Sequence, residues 1–160
     1  MKINHDKVAF MTTKPIPLPD LAATEKLAKN LATLLQNGDV VGLEGPLGTG
    51  KTTFARALLQ ALGVEGDVPS PTFTLLQTYD TQHFPVYHFD LYRLKSADEL
   101  DELGWDDACA DGVVVAEWPE RAAGRLPVDH LILKFMMDDR STRSCVPMPQ
   151  GTWTERLRKL

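Results

Sequence analysis

Apolar residues recur along this chain with two different periods, and the alternation between them sketches the fold. Leu21, Leu27, Ala28, Leu31, Leu34 and Leu35 return near the helical period, which predicts an amphipathic helix. Asp20 or Thr24 can cap its start, and Asn37-Gly38 ends it. The run Val40-Val-Gly-Leu43 is short and apolar enough for a buried strand. A glycine-rich loop follows, and then a helix over residues 52–62 that Gly63 closes. Residues 72–79 alternate and are rich in β-formers; with the polar turn 80–83 and the run 85–89 they predict a hairpin.

Ser96-Ala-Asp-Glu99 matches a capping box, so it should open a short acidic helix that stops at Gly104. Val113-Val-Val-Ala116 reads as a fully buried strand ending at Glu117. His130 to Met137 and Ser144 to Met148 read as strands joined by a charged turn over residues 138–143. Residues 1–15 are expected to form a loose leader, with Pro15 to Pro19 extended because proline has no amide donor. Strands interleaved with helices give the α/β class, a three-layer fold with a mixed central sheet that includes a hairpin and antiparallel C-terminal strands. No repeat or linker divides the 160 residues, so a single domain is expected.

Composition narrows the function classes. A net charge of -5 argues against a protein that coats DNA or RNA by itself. The two cysteines, Cys109 and Cys145, have no metal spacing and read as reduced thiols. No stretch approaches the roughly 20 apolar residues of a membrane span, and Met1 to Lys14 lacks the apolar core of a signal peptide. A cytoplasmic location is expected.

The chemistry is carried by Gly45-Pro-Leu-Gly-Thr-Gly-Lys-Thr52, which fills the pattern G-x-x-x-x-G-K-[ST]. The glycines allow positive φ, so that successive amides point at phosphate oxygens. Those amides open onto a helix N-terminus, where the dipole favours negative charge. Lys51 supplies a mobile charge to the β- and γ-phosphates and Thr52 a hydroxyl to Mg²⁺. A strand running into the loop and a helix running out of it are the context that this P-loop motif requires. The P-loop NTPase fold is therefore expected.

Such a site also needs an acid at a strand end. Asp90 and Glu117 both stand where an apolar run stops, although Asp90 could instead pair with Arg93. His88 reads as a packing or hydrogen-bonding residue, and Trp118 as a ring near the site's rim. Hydroxyls of Ser70-Pro-Thr-Phe73 could reach the γ-phosphate as a switch loop does. A GTPase is excluded by the lack of NKxD, since asparagine occurs only at 4, 30 and 37. A small-molecule kinase, with Arg121 and Arg125 as a lid and Arg140 and Arg143 as clamps, stays open beside an ATPase that serves a larger assembly.

Beyond the loop, the chain carries Ile16-Pro-Leu-Pro-Asp20, Ser70-Pro-Thr-Phe-Thr-Leu75, Tyr87-His-Phe-Asp-Leu-Tyr-Arg-Leu94, Glu102-Leu-Gly104 and Glu117-Trp-Pro119. In this combination, from Ile16 to Val146, it resembles the TsaE family. The resemblance implies a Mg²⁺-dependent ATPase, using ATP and releasing ADP. It implies that the protein is needed to form the threonylcarbamoyl group on N6 of adenosine 37 in ANN-decoding tRNAs. TsaB- and TsaD-like proteins would be the partners, with tRNA met only through that complex. Carried over by position, Gly45, Leu47, Gly48, Thr49, Gly50, Lys51, Thr52 and Thr53 would hold phosphate. Thr52 and Glu117 would hold Mg²⁺, Asp90 would act near the γ-phosphate, Trp118 would border the nucleotide, and Arg140 with Asp139 would flank the base. Pro46, Thr49 and Leu21 depart from residues common in the family, and the tail from Pro147 matches nothing in it.

Overall fold

The computed structural model describes residues 14–122 and 124–160; most of the expected leader, with its reading as no signal peptide, lies outside them. Among the described residues the central sheet has seven strands, in the order β1-β7-β6-β2-β5-β4-β3. These are β1 (Ile16–Pro17), β2 (Val40–Glu44), β3 (Leu76–Asp80), β4 (Pro85–Asp90), β5 (Val113–Glu117), β6 (His130–Met137) and β7 (Arg143–Gln150). The four middle strands β6, β2, β5 and β4 are mutually parallel, while β3 and β7 run antiparallel to their neighbours. The sheet is therefore mixed, as expected, with the parallel strands shielded in the middle.

Alternation along the middle strands builds a core on each face. Val41, Leu43, Val113, Val115, Leu131 and Leu133 face α1 (Leu21–Ala32) and α2 (Lys51–Ala61). Val40, Val114, Ala116 and Phe89 face α3 (Glu99–Glu102) and α4 (Trp105–Asp111). Both faces are covered, which is why these strands read as unbroken apolar runs.

Of the two possible caps for α1, Asp20 serves: its Oδ1 accepts from the Ala23 amide at 2.9 Å, a bond of about 1 kcal/mol. Thr24 lies one turn into the helix, buried. Two expectations change. The strand expected from residue 72 starts at Leu76, because residues 72–75 form a turn in which the Leu75 amide donates to Pro71 O and Leu75 takes a φ of 65°. Ser96 does not cap the acidic helix; Glu99 Oε1 accepts from the Lys95 amide instead, and α3 is one turn long. Beyond Gly104 the chain turns into α4 and buries Trp105, whose indole donates to Arg125 O.

The tail also has structure. β7 continues to Gln150, and α5 (Trp153–Arg156) returns Trp153 to the core that α1 and α2 cover. Arg156 clamps Asp39 through two 2.7 Å bonds and donates to Leu34 O.

Candidate functional site

The loop between β2 and α2 owes its shape to glycine. Gly45 has a φ of 142°, and a Cβ there would meet Phe135 O at 2.5 Å. Gly50, with a φ of 103°, is the residue immediately before α2, so no L side chain fits the turn without strain. Thr49 braces the loop from within, donating to Pro46 O at 2.7 Å. Because α2 starts at Lys51, its first unpaired amides open toward the loop.

Lys51 is almost wholly buried. Its ammonium donates to Gly45 O and Pro46 O, and it lies 3.6 Å from the centroid of the Trp118 ring. Burial pushes the Lys51 ammonium down from its ordinary pKa, against the pull of Glu117, Glu120 and Asp90. Trp118 reaches the lysine through a left-handed backbone, φ 60°, immediately after β5, and its ring also packs on Tyr92 at 4.8 Å.

Asp90 and Glu117 are register partners at the ends of β4 and β5, so adjacent strands deliver two buried carboxylates to one level. Glu117 Oε1 accepts from the Thr52 hydroxyl at 2.7 Å, and its Oε2 lies 2.8 Å from His88 Nε2. Asp90 accepts from the Tyr92 amide at 3.1 Å and from Thr72 Oγ1 at 3.3 Å, while Ser70 Oγ lies 2.7 Å from that hydroxyl. Burial pushes the Asp90 carboxyl up, the charge of Glu117 adds to it, and the Tyr92 amide, Thr72 and His88 oppose it. The Asp90–Arg93 pair does not form; Arg93 stacks over the exposed Phe73 ring at 4.8 Å.

Lys51, Thr52, Thr72, Asp90, Glu117 and Trp118 line a cleft of about 330 Å³ with Leu47, Gly48, Gly50 and Thr53 at its loop side. A second cavity of about 150 Å³ adjoins the loop and is bounded by Leu18, Leu21, Thr24, Phe135 and Ser141. Arg143 lines both and donates to Gly48 O at 3.2 Å. From sequence alone Arg143 suggests only a kinase clamp. Asp139 and Arg140 lie on the exposed turn between β6 and β7 and line neither cavity. Arg125, one of the two lid arginines of the kinase reading, is committed to Asp101 and Asp106 at 2.6 and 3.1 Å.

The arrangement is built for a phosphorylated ligand: amides and an ammonium on one side, a hydroxyl and two carboxylates on the other. Among the described residues, no three His, Cys, Asp or Glu side chains cluster to hold a metal by themselves. The donor set is all oxygen and sparse, which suits Mg²⁺, an ion that takes one or two carboxylates and completes its shell with water and phosphate.

Comparison with known proteins points the same way. Residues 18–145 match the family model described as threonylcarbamoyl adenosine biosynthesis protein TsaE. A Rickettsia felis protein named tRNA threonylcarbamoyladenosine biosynthesis protein TsaE is 42% identical over 76% of this chain and 72% of its own. The Bacillus subtilis protein of that name is 40% identical over 72% of this chain and 74% of its own. A crystal structure of Bacillus subtilis YdiB superposes with a TM-score of 0.75 at 30% identity, covering 92% of this chain and 93% of that one.

Proposed function

This chain belongs to the TsaE family, and from that premise we propose that it is a Mg²⁺-dependent ATPase of tRNA threonylcarbamoyladenosine formation. It acts with TsaB- and TsaD-type partners and meets tRNA only through them. The observation that carries the reading is the 2.7 Å bond from Thr52 to Glu117 beside the loop. It joins the hydroxyl and the carboxylate that a nucleotide-bound cation needs, one strand away from a second carboxylate. A cytoplasmic location goes with this reading; among the described residues no helix is long and apolar enough to cross a membrane.

Thr52 and Glu117 would hold Mg²⁺, which when bound neutralises charge on the β- and γ-phosphate oxygens. The loop amides from Gly45 to Thr53 receive the phosphates. Lys51 leaves its carbonyl partners and the Trp118 ring for the β/γ-phosphates, an exchange that burial makes easier by disfavouring an uncompensated ammonium. Asp90 orients the attacking water at the γ-phosphate, with Thr72 as its support. The base enters the smaller cavity beside Leu21 and Phe135, with Arg143 between base and phosphates and Arg140 and Asp139 on the turn above. Catalysis is by positioning and electrostatics. Turnover is low until a partner orders the segment around Phe73, which is more than four-fifths exposed.

ATP hydrolysis by the pure protein, alone and with a TsaB–TsaD-type pair, tests the reading. Stimulation by the pair, lost in Lys51→Ala, is the expected result. ADP formed only in the presence of a small-molecule acceptor would transfer the case to the kinase.

A further inference from the structure

His88 lines neither cavity beside the loop, yet it is the polar side chain most deeply tied to the site. It is 1% exposed, sits in the middle of β4 between Val86 and Phe89 levels of the core, and pairs in register with Val115. An apolar residue would satisfy such a position. Instead the imidazole brings Nε2 to 2.8 Å from Glu117 Oε2, while its Nδ1 is buried with no partner among the described residues. An ionised carboxylate can only accept, so Nε2 carries the bridging proton.

We propose that His88 is the positioning residue for Glu117. The two carboxylate oxygens have different bonds. Oε1 is held by Thr52, whose hydroxyl must turn away to serve a cation, whereas Oε2 is held by a group that has no other task. When Thr52 releases Oε1, His88 keeps the carboxylate from rotating and leaves one defined oxygen facing the cleft. A glutamate otherwise has three side-chain torsions to fix, and the bond to Oε2 removes that freedom before the ligand arrives. Among the described residues the bond to Glu117 is the only hydrogen bond of the ring. His88 itself touches no ligand, so it acts through Glu117 alone.

The inference rests on Glu117 being a working carboxylate, and the test separates the two. In His88→Leu, kcat for ATP hydrolysis in the presence of the partner pair should fall about 10- to 100-fold, the usual cost of losing such an outer partner. KM for ATP should stay within about threefold, since the loop amides and Lys51 are intact. Calorimetry gives a second readout without turnover: the gain in ADP affinity on adding Mg²⁺ should shrink in His88→Leu. His88→Gln, whose amide nitrogen reaches about as far as Nε2, should restore most of both; His88→Asn, which reaches only to Nδ1, should not. If Gln and Asn lose kcat equally, in step with a drop in Tm, the role is structural and the proposal is overturned. Wild-type kcat and Mg²⁺ response in His88→Leu would overturn it too, provided Glu117→Gln abolishes hydrolysis. Full hydrolysis in Glu117→Gln would instead overturn the role given to Glu117, and the positioning role with it.

Discussion

At the N-terminal end of β2, Asp39 gives both carboxylate oxygens to Arg156 and accepts the Gln36 amide as well. At the C-terminal end, Lys51 donates to its own loop's carbonyls, and Asp90 and Glu117 share no direct bond with it. The buried charged and histidine side chains among the described residues, Asp39, Lys51, His88, Asp90 and Glu117, all belong to these two clusters. One strand of five residues, about 17 Å, separates a charge pair closed on itself from a set of charges left open. A closed pair holds a chain in place. Open charges, expensive in a core, are what a ligand can complete.

If the clasp is purely structural, breaking it should cost stability and nothing else. Arg156→Ala strands the Asp39 carboxylate and frees Leu34 O. Arg156 is 21% exposed and Asp39 10%, so the loss should be about 2–3 kcal/mol, below the 3–5 of a fully buried pair. For a chain of this size that lowers Tm by about 5–10 °C. ADP affinity, measured well below the new Tm, should change less than about twofold, because the two clusters are too far apart to couple. A large loss of affinity at full folding would mean that α5 reaches the site through β2, and the separation drawn above would fail.

The open end should respond in the opposite sense. Asp90→Asn removes a charge that burial disfavours and keeps a side chain able to accept from Tyr92 and meet Thr72. Hydrolysis should fall about tenfold or more if Asp90 orients the water, while Tm without nucleotide or Mg²⁺ should rise by roughly 2–4 °C, the equivalent of about 1 kcal/mol. The pH dependence has a definite sign. A carboxyl whose folded pKa is raised binds its proton more tightly in the folded state, so its charge weakens the fold above that value. The advantage of Asn over Asp should therefore be full at neutral pH and vanish as pH falls from the raised value to about 3.8. Scanning Tm of both proteins between pH 7 and 4 checks it; an Asn variant less stable at neutral pH would show Asp90 to be a structural acceptor.

The two ends were not equally legible in the sequence. Gly45 to Thr52 is contiguous, and the constraints that make it a loop are local, so the motif and its flanking elements could be read directly. Asp90 and Glu117 were visible as acids terminating apolar runs. Their shared register was not, because pairing between β4 and β5 is set by packing across the 22 intervening residues and by no local pattern. Arg143 could not be placed for the same reason: its position follows from β6 docking beside β2, which brings the start of β7 back to Gly48. Leu75 and Trp118 take positive φ without being glycine, so residue type gave no warning. The clasp was least legible. Trp153 and Arg156 lie in a short polar segment without periodicity, and only the folded chain sets Arg156 against Asp39, 117 positions away.

The smallest effect sharpens the contrast most, because each end holds one polar atom with no partner among the described residues: His88 Nδ1 at the site and Trp153 Nε1 at the clasp. The Trp153 ring is fully buried and lies 3.9 Å beneath the Arg156 guanidinium. Trp153→Phe removes the unpaired N–H, a relief of about 1–3 kcal/mol. It also gives up part of a ring's burial and packing, a loss of about the same size. The two should cancel to within about 1 kcal/mol, leaving Tm within a few degrees and ATP hydrolysis untouched. Thermal unfolding of the single variant and of Trp153→Phe with Arg156→Ala decides what the clasp rests on. If the phenylalanine is neutral in the wild-type background, the guanidinium's bonds to Asp39 and Leu34 carry the clasp. If it alone costs more than about 2 kcal/mol, the indole is the anchor, and charge closure is not what distinguishes this end of β2 from the other.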